Sequence, residues 1–71
     1  MKVAILTISD RCSSGEAQDL TGPALRHALV EAGAQIVELG VIPDERETIQ
    51  AELVRLSDQV GADVVITNGG T

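Results

Sequence analysis

Three short polar segments of this 71-residue sequence carry the groups that could do chemistry. Ser9-Asp10-Arg11 offers a hydroxyl, a carboxylate and a guanidinium, a set that can position a phosphate and a polar ring edge together. Thr67-Asn68-Gly69-Gly70-Thr71 is a polar turn whose paired glycines let backbone N–H groups approach an anion closely. Asp44 stands at an expected helix start, where its carboxylate could hold Mg²⁺ or orient a nucleotide. Together they predict a site for a ligand that carries phosphate.

Each segment also has a structural interpretation. Ser9 and Asp10 could bond the local backbone of a turn while Arg11 pairs with an acid. Asp44 and Glu47 have the spacing of a capping box, which would by itself explain the position of Asp44. Spacing alone leaves both interpretations open for each segment.

Several familiar sites are excluded by the sequence. It contains neither the GxGxxG dinucleotide pattern nor the GxxxxGK pattern of a P-loop. A cysteine phosphatase is excluded because Gln18, not arginine, stands six residues after Cys12. His27 is the only histidine and Cys12 the only cysteine, so no metal-ligand spacing occurs and the metal ligands remain unknown.

The composition narrows the class of protein. A net charge of −6 argues against nucleic acid as a partner, and an aromatic content of 0% removes base-stacking platforms. The apolar segment after Lys2 is far shorter than the roughly 20 residues of a membrane span and carries no signal-peptide cleavage site. The single cysteine fits a reduced compartment, so we predict a cytoplasmic protein without membrane contact.

The first half of the chain predicts a strand, a loop and a helix. Residues 3–8 form an apolar run that is interrupted only by Thr7 and is rich in β-branched residues, which predicts a strand buried on both faces. Residues 12–19 are polar and without periodicity, which predicts a loop. Thr21-Gly22-Pro23 predicts a helix start, because proline is favoured at the first helical position, and Gly33 predicts its end.

The second half predicts strand, helix and strand. In residues 35–42, Glu38 and Gly40 alternate with apolar residues, which predicts an edge strand. A helix entered at Asp44 carries its apolar residues at helical spacing, namely Ile49, Leu53, Leu56 and Val60. Residues 64–66 have no polar alternation, which predicts a third strand covered on both faces.

The order βαβαβ predicts one α/β domain over residues 1–71, a three-layer parallel sheet with strand order 2-1-3. In that order the chain leaves the central strand in opposite directions, so the carboxyl ends of strands one and three form a topological switch point. Ser9-Asp10-Arg11 and the glycine turn meet there, and Asp44 lies at the same edge of the sheet. The topology thus predicts that the three polar segments converge on one crevice.

Four motifs in this order resemble a known family: Thr7-Ile8-Ser9-Asp10-Arg11, Asp19-Leu20-Thr21-Gly22-Pro23-Ala24-Leu25, Val41-Ile42-Pro43-Asp44-Glu45 and Thr67-Asn68-Gly69-Gly70-Thr71. They are similar to the molybdopterin-binding domain of molybdenum cofactor biosynthesis, in the branch that includes molybdopterin adenylyltransferase and the related domain of gephyrin. The motifs extend over essentially the whole chain.

The resemblance implies transfer of adenylate from Mg-ATP to molybdopterin by a cytoplasmic homotrimer. It assigns pterin and phosphate binding to Ser9, Asp10, Arg11, Thr67, Asn68, Gly69, Gly70 and Thr71. Asp44 matches one of two acidic residues associated with catalysis. Because the family pattern continues beyond Thr71 and carries the second acid there, we expect this chain to be the N-terminal part of the domain, inactive alone.

Two alternatives stay open. One is a paralogue of the same fold that binds a pterin or nucleotide without transferring adenylate. The other is a small flavodoxin-like or receiver-like regulatory module, although receivers carry an aspartate where Thr67-Asn68 stands here.

Overall fold

The computed structural model describes residues 1–69, which form a βαβαβ unit. Its elements are β1 (Lys2–Ile8), α1 (Asp10–Ser14), α2 (Thr21–Glu31), β2 (Gln35–Ile42), α3 (Arg46–Arg55), a π-helical turn (Leu56–Val60) and β3 (Val64–Gly69). The strands are parallel in the order β2-β1-β3, which confirms the predicted topology. Among the helices of these residues, none is long and apolar enough to cross a membrane.

The central strand β1 supplies residues to the packing on both faces of the sheet. Its alternate residues Ala4, Leu6 and Ile8 form a buried cluster with Ile42 of β2 and Leu56 of the π-helical turn. The intervening residues point to the opposite face, where α2 packs against β1 and β2. Helices therefore cover both faces of the sheet, as the three-layer prediction requires.

The strand β3 is more exposed than its sequence predicts. Val64 keeps 37% of its surface exposed, and Val65 and Ile66 are only half-buried. Within residues 1–69, β3 pairs with β1 alone, so no strand lies along its other edge. The side chains of β3 are therefore more exposed on that side. The expectation of a strand covered on both faces is therefore wrong for these residues, whereas the edge position of β2 is confirmed.

The segment after β1 is not wholly a loop. Residues Asp10–Ser14 form the short helix α1, because the Ser9 hydroxyl accepts the Cys12 N–H (3.2 Å) as an N-terminal cap. Gly15 ends this helix in the left-handed conformation. The predicted loop thus begins only after the helix, which carries Cys12 as a helical residue.

Both longer helices begin differently from the prediction. Helix α2 begins at Thr21, two residues before Pro23, with Leu20 at its N-cap. Asp19, one residue before the N-cap, accepts the Gly22 N–H through Oδ1 (3.1 Å) and so satisfies one free N–H of the first turn. Helix α3 begins at Arg46 with Glu45 at its N-cap and no capping bond from a side chain. The capping box predicted for Asp44 and Glu47 is therefore wrong.

Candidate functional site

A cavity of about 570 Å³ opens at the carboxyl edge of the sheet. Five of the residues that the sequence predicts for the site line it, namely Ser9, Asp10, Asp44, Asn68 and Gly69. The other lining residues are Thr7, Ile8, Cys12, Gln18, Asp19, Leu20 and Thr21. The cavity lies where β1 and β3 end and where the chain leaves β2, which is the switch point predicted from the strand order.

The remaining predicted residues do not line this cavity or are not described. Arg11 is exposed on α1. Thr67 is the register partner of Leu6, so it lies on the face of β3 opposite to that of Asn68. Gly70 and Thr71 lie outside the described residues. The binding roles of these four residues stay predictions.

Asp10 connects the ends of two strands at the cavity. Its Oδ1 atom accepts the backbone N–H of Asp44 at 2.9 Å, across 34 positions of sequence. The Ser9 N–H donates to the carbonyl of Ile42 (2.9 Å), which extends the pairing of β1 with β2 by one residue. Asp10 therefore holds the backbone of Asp44 at the cavity, while the hydroxyl of Ser9 is used as the cap of α1.

A second set of hydrogen bonds connects further residues that line the cavity, namely Thr7, Asp19 and Asn68. The Thr7 hydroxyl donates to Oδ2 of Asp19 at 2.9 Å, and Nδ2 of Asn68 donates to the Thr7 oxygen at 2.9 Å. Asp19 also accepts the Gly22 N–H through Oδ1. These bonds connect β3, β1 and the start of α2. Thr7 is 3% exposed, so this set of hydrogen bonds runs through the interior.

Sequence reasoning assigned no role to Thr7 or Asp19. A signal was present, because a carboxylate three residues before Gly22 has the spacing of a side chain that caps a helix. The proline after Gly22 instead suggested that the helix begins there. Thr7 could not have been singled out, since a lone threonine in an apolar run is an ordinary strand residue.

Two glycines are required by close contacts around the cavity. Gly22 is buried, and a Cβ atom there would overlap Oδ2 of Asp19 and lie 3.2 Å from the Thr7 hydroxyl oxygen. Gly69 has a φ of 87°, which side-chain-bearing residues rarely adopt, and its Cβ would overlap the carbonyl oxygen of Ile8. The first residue of the predicted glycine pair therefore needs to be glycine for its backbone.

The charged residues among those lining the cavity are all acidic, namely Asp10, Asp19 and Asp44. Asp10 and Asp19 each accept backbone N–H groups. Within residues 1–69, no group of three His, Cys, Asp or Glu side chains could hold a metal ion. The described residues thus offer carboxylates to a ligand-borne cation but do not form a complete metal site.

An ion-pair network lies outside the cavity and fastens α3 to β2. The guanidinium of Arg55 binds the carboxylates of Glu38 on β2 and Glu52 on α3. The hydrogen bond from Arg55 lowers the pKa of Glu52, and the two carboxylates raise the pKa of Arg55. This network explains how a charged residue fits into β2, since Glu38 is matched by a cation from the covering helix.

A parallel α/β sheet with a ligand-sized cavity at its topological switch point defines an α/β ligand-binding domain. Residues 4–71 match the protein family described as "Probable molybdopterin binding domain". The chain belongs to this family of molybdenum cofactor biosynthesis, which confirms the resemblance of its four motifs.

Named relatives agree with this assignment. The chain is 35% identical over 71 residues to a molybdopterin adenylyltransferase of Helicobacter pylori (strain J99), covering 97% of this chain and 40% of the relative. It is 40% identical over 73 residues to the molybdopterin adenylyltransferase of Escherichia coli (strain K12), covering 100% of this chain and 37% of the relative. The chain therefore spans well under half of the length of these relatives.

Solved structures share the fold. The molybdopterin biosynthesis enzyme MoaB from Thermus thermophilus superposes with a TM-score of 0.92 at 38% identity, over 99% of this chain and 44% of that one. The tungsten cofactor synthesizing protein MoaB from Pyrococcus furiosus superposes with a TM-score of 0.88 at 33% identity, over 99% and 42%.

Proposed function

We propose that the full-length protein binds molybdopterin in the cavity at the carboxyl edge of the sheet and transfers adenylate to it from ATP. The observation that carries the proposal is the meeting of the family motifs at that one cavity, where Ser9, Asp10, Asp44, Asn68 and Gly69 are neighbours. Family membership and the names of the relatives support molybdopterin and ATP as substrates.

In the proposed reaction, an oxygen of the terminal phosphate of molybdopterin attacks the α-phosphorus of ATP. A new P–O bond forms, the bond from the α-phosphorus to the bridging oxygen breaks, and pyrophosphate leaves. Such transfers need positioning and charge stabilisation more than covalent help from the protein. Asp44 and the backbone N–H of Gly69 are the groups we assign to these tasks. The sequence adds Gly70, which lies outside the described residues.

Mg²⁺ fits this assignment as a partner of ATP. It usually binds through one or two carboxylates together with substrate phosphates and water, so a complete protein cage is not required. Asp44 would hold it, because the backbone of Asp44 is fixed by Asp10 while no hydrogen bond or ion pair within residues 1–69 uses the Asp44 carboxylate. Bound Mg²⁺ would neutralise phosphate charge beside a cavity lined by three aspartates.

The oligomer is also part of the proposal. We expect a cytoplasmic homotrimer without nucleic-acid or membrane partners, in keeping with a net charge of −6. Size-exclusion chromatography with light scattering measures this directly. A monomer or dimer of the full-length protein would contradict the trimer.

The test of the activity is adenylyl transfer by the full-length protein, with pyrophosphate release as the readout. Because Asp44 does not cap α3, Asp44→Asn should leave the unfolding temperature unchanged within about 2 °C while lowering kcat at least tenfold. Glu45→Gln, next to it at the N-cap, is the matched control and should retain activity. Molybdopterin binding without transfer by the wild-type protein would instead identify a non-catalytic paralogue.

A further inference from the structure

The Asn68 amide is bonded to a hydroxyl whose only proton is already used. Thr7 donates that proton to Asp19, which as a carboxylate can only accept. The Thr7 oxygen therefore has to accept from Asn68, and the amide must turn its Nδ2 toward Thr7. The orientation of the amide thus follows from the proton count and does not depend on distinguishing nitrogen from oxygen.

The bond from Asn68 to Thr7 determines which amide atom Asn68 has available for a ligand in the cavity. With one N–H of Nδ2 bonded to Thr7, the carbonyl oxygen Oδ1 occupies the other branch of the amide, and Thr7 cannot reverse this orientation while Asp19 accepts its proton. Asp19 is itself held by Gly22 and cannot turn freely. The cavity is thereby given a hydrogen-bond acceptor of fixed direction at the end of β3.

We infer that Asp19 and Thr7 are positioning residues that fix Asn68 as an acceptor for an N–H donor on the ring of the ligand. A phosphate oxygen is ruled out as the partner of Oδ1, because two acceptors cannot share a hydrogen bond without a proton. The inference rests on the proposed function for the presence of a pterin, whose ring carries such N–H groups. It assigns Oδ1 of Asn68, and not the whole side chain, to the ring.

Asp19→Asn tests the inference because it keeps the shape and every hydrogen bond but reverses two of them. The new amide can accept from Gly22 through its oxygen and donate to Thr7 through its nitrogen. Thr7 then has its proton available for Asn68, so the Asn68 amide is free to turn over and present N–H to the ligand. We expect the Kd for molybdopterin to rise about tenfold, since an unmatched donor or acceptor is left in the site.

The Kd for inorganic pyrophosphate separates this effect from general damage. Removing a negative charge from the cavity cannot weaken phosphate binding by electrostatics, so Asp19→Asn should bind pyrophosphate as well as or better than the wild-type protein. Asp58→Asn is the charge-matched control, because Asp58 is exposed in the π-helical turn and does not line the cavity. Thr7→Ser, which keeps the hydroxyl that donates to Asp19, should retain the wild-type Kd for molybdopterin.

Side-chain amide NMR of Asn68 gives a readout that needs no ligand. In the wild-type protein one Asn68 N–H should be protected from exchange by Thr7, and in Asp19→Asn this protection should be lost. Unchanged protection, or an unchanged Kd for molybdopterin in the folded variant, overturns the inference. Equal weakening of molybdopterin and pyrophosphate also overturns it. A wild-type protein that binds no molybdopterin overturns the proposed function and the ligand assigned here, whereas the NMR result still decides the positioning role.

Discussion

Replacement of Gly22 by alanine should break the hydrogen-bond chain that joins three elements at the cavity. The added Cβ would overlap Oδ2 of Asp19 and approach Leu39 Cδ1 at 3.1 Å and Thr7 Oγ1 at 3.2 Å. The Asp19 carboxylate, which the Cβ would overlap, has to move, because Thr7 is buried in the central strand, while the 37% exposed Leu39 side chain can adjust at its end. We therefore expect Asp19 to leave Thr7, which keeps its buried hydroxyl without that partner.

The size of the effect follows from the bonds at stake. A hydrogen bond to a charged group contributes about 1.5–3 kcal/mol, while alanine is better than glycine in a helix by up to about 1 kcal/mol. After the gain in helix propensity, the net decrease in the free energy of unfolding should be about 0.5–2 kcal/mol. For a domain of this size that corresponds to a decrease in Tm of about 2–15 °C.

Thermal unfolding followed by circular dichroism measures the change, with Gly40→Ala as the matched control. A Cβ at Gly40 would lie 3.7 Å from Leu6 Cδ1, which is an ordinary contact, so the control should keep the Tm of the wild-type protein. A Tm for Gly22→Ala equal to that of Gly40→Ala would refute the role of Asp19 as the link between β1 and α2.

Gly69→Ala should lower the Tm more than Gly15→Ala: both glycines have a φ of 87°, but only at Gly69 would a Cβ overlap the Ile8 carbonyl. Equal decreases in the two variants would show that the overlap does not matter and that only the backbone strain does. Arg55→Gln should make stability less dependent on pH in acid. The hydrogen bond from Arg55 lowers the pKa of Glu52, and the resulting stability is present above the ordinary pKa of 4.5 and is lost as the pH falls through the lowered pKa of the folded protein. Urea unfolding between pH 6 and pH 3 measures this, and a pH dependence identical in variant and wild-type protein would exclude Arg55 as its cause.

The topology was predictable because it depends on features that are local in sequence. The apolar run of β1 and the alternation in β2 indicate a buried strand and an edge strand, and the most economical arrangement of these strands is the observed order with β1 in the centre. The meeting of Asp10, Asp44 and Asn68 at one cavity follows from that order alone. No knowledge of side-chain contacts was required for this part of the site.

The roles of individual carboxylates were not predictable, because they are decided by partners distant in sequence. Asp44 and Glu47 have the spacing of a capping box, yet Asp10, 34 positions away, takes the Asp44 N–H and the helix begins two residues later. Asp19 lies in a polar stretch that looks like a simple loop, yet it bonds Thr7 inside the sheet. A spacing rule considers only residues that are close in sequence. It therefore cannot predict that a residue 34 positions away accepts a backbone N–H.

The three aspartates of the cavity differ in what remains available to a ligand. Asp19 is occupied by a hydroxyl and a backbone N–H, and Asp10 accepts a backbone N–H with one oxygen, so part of their charge is compensated inside the protein. The Asp44 carboxylate makes no such contact within residues 1–69, although its backbone is held in place by Asp10. An aspartate with a fixed backbone and an unused carboxylate is suited to bind a cation that arrives with the ligand, and we therefore assign the cation to Asp44. We assign Asp10 and Asp19 to holding the residues around the cavity in place.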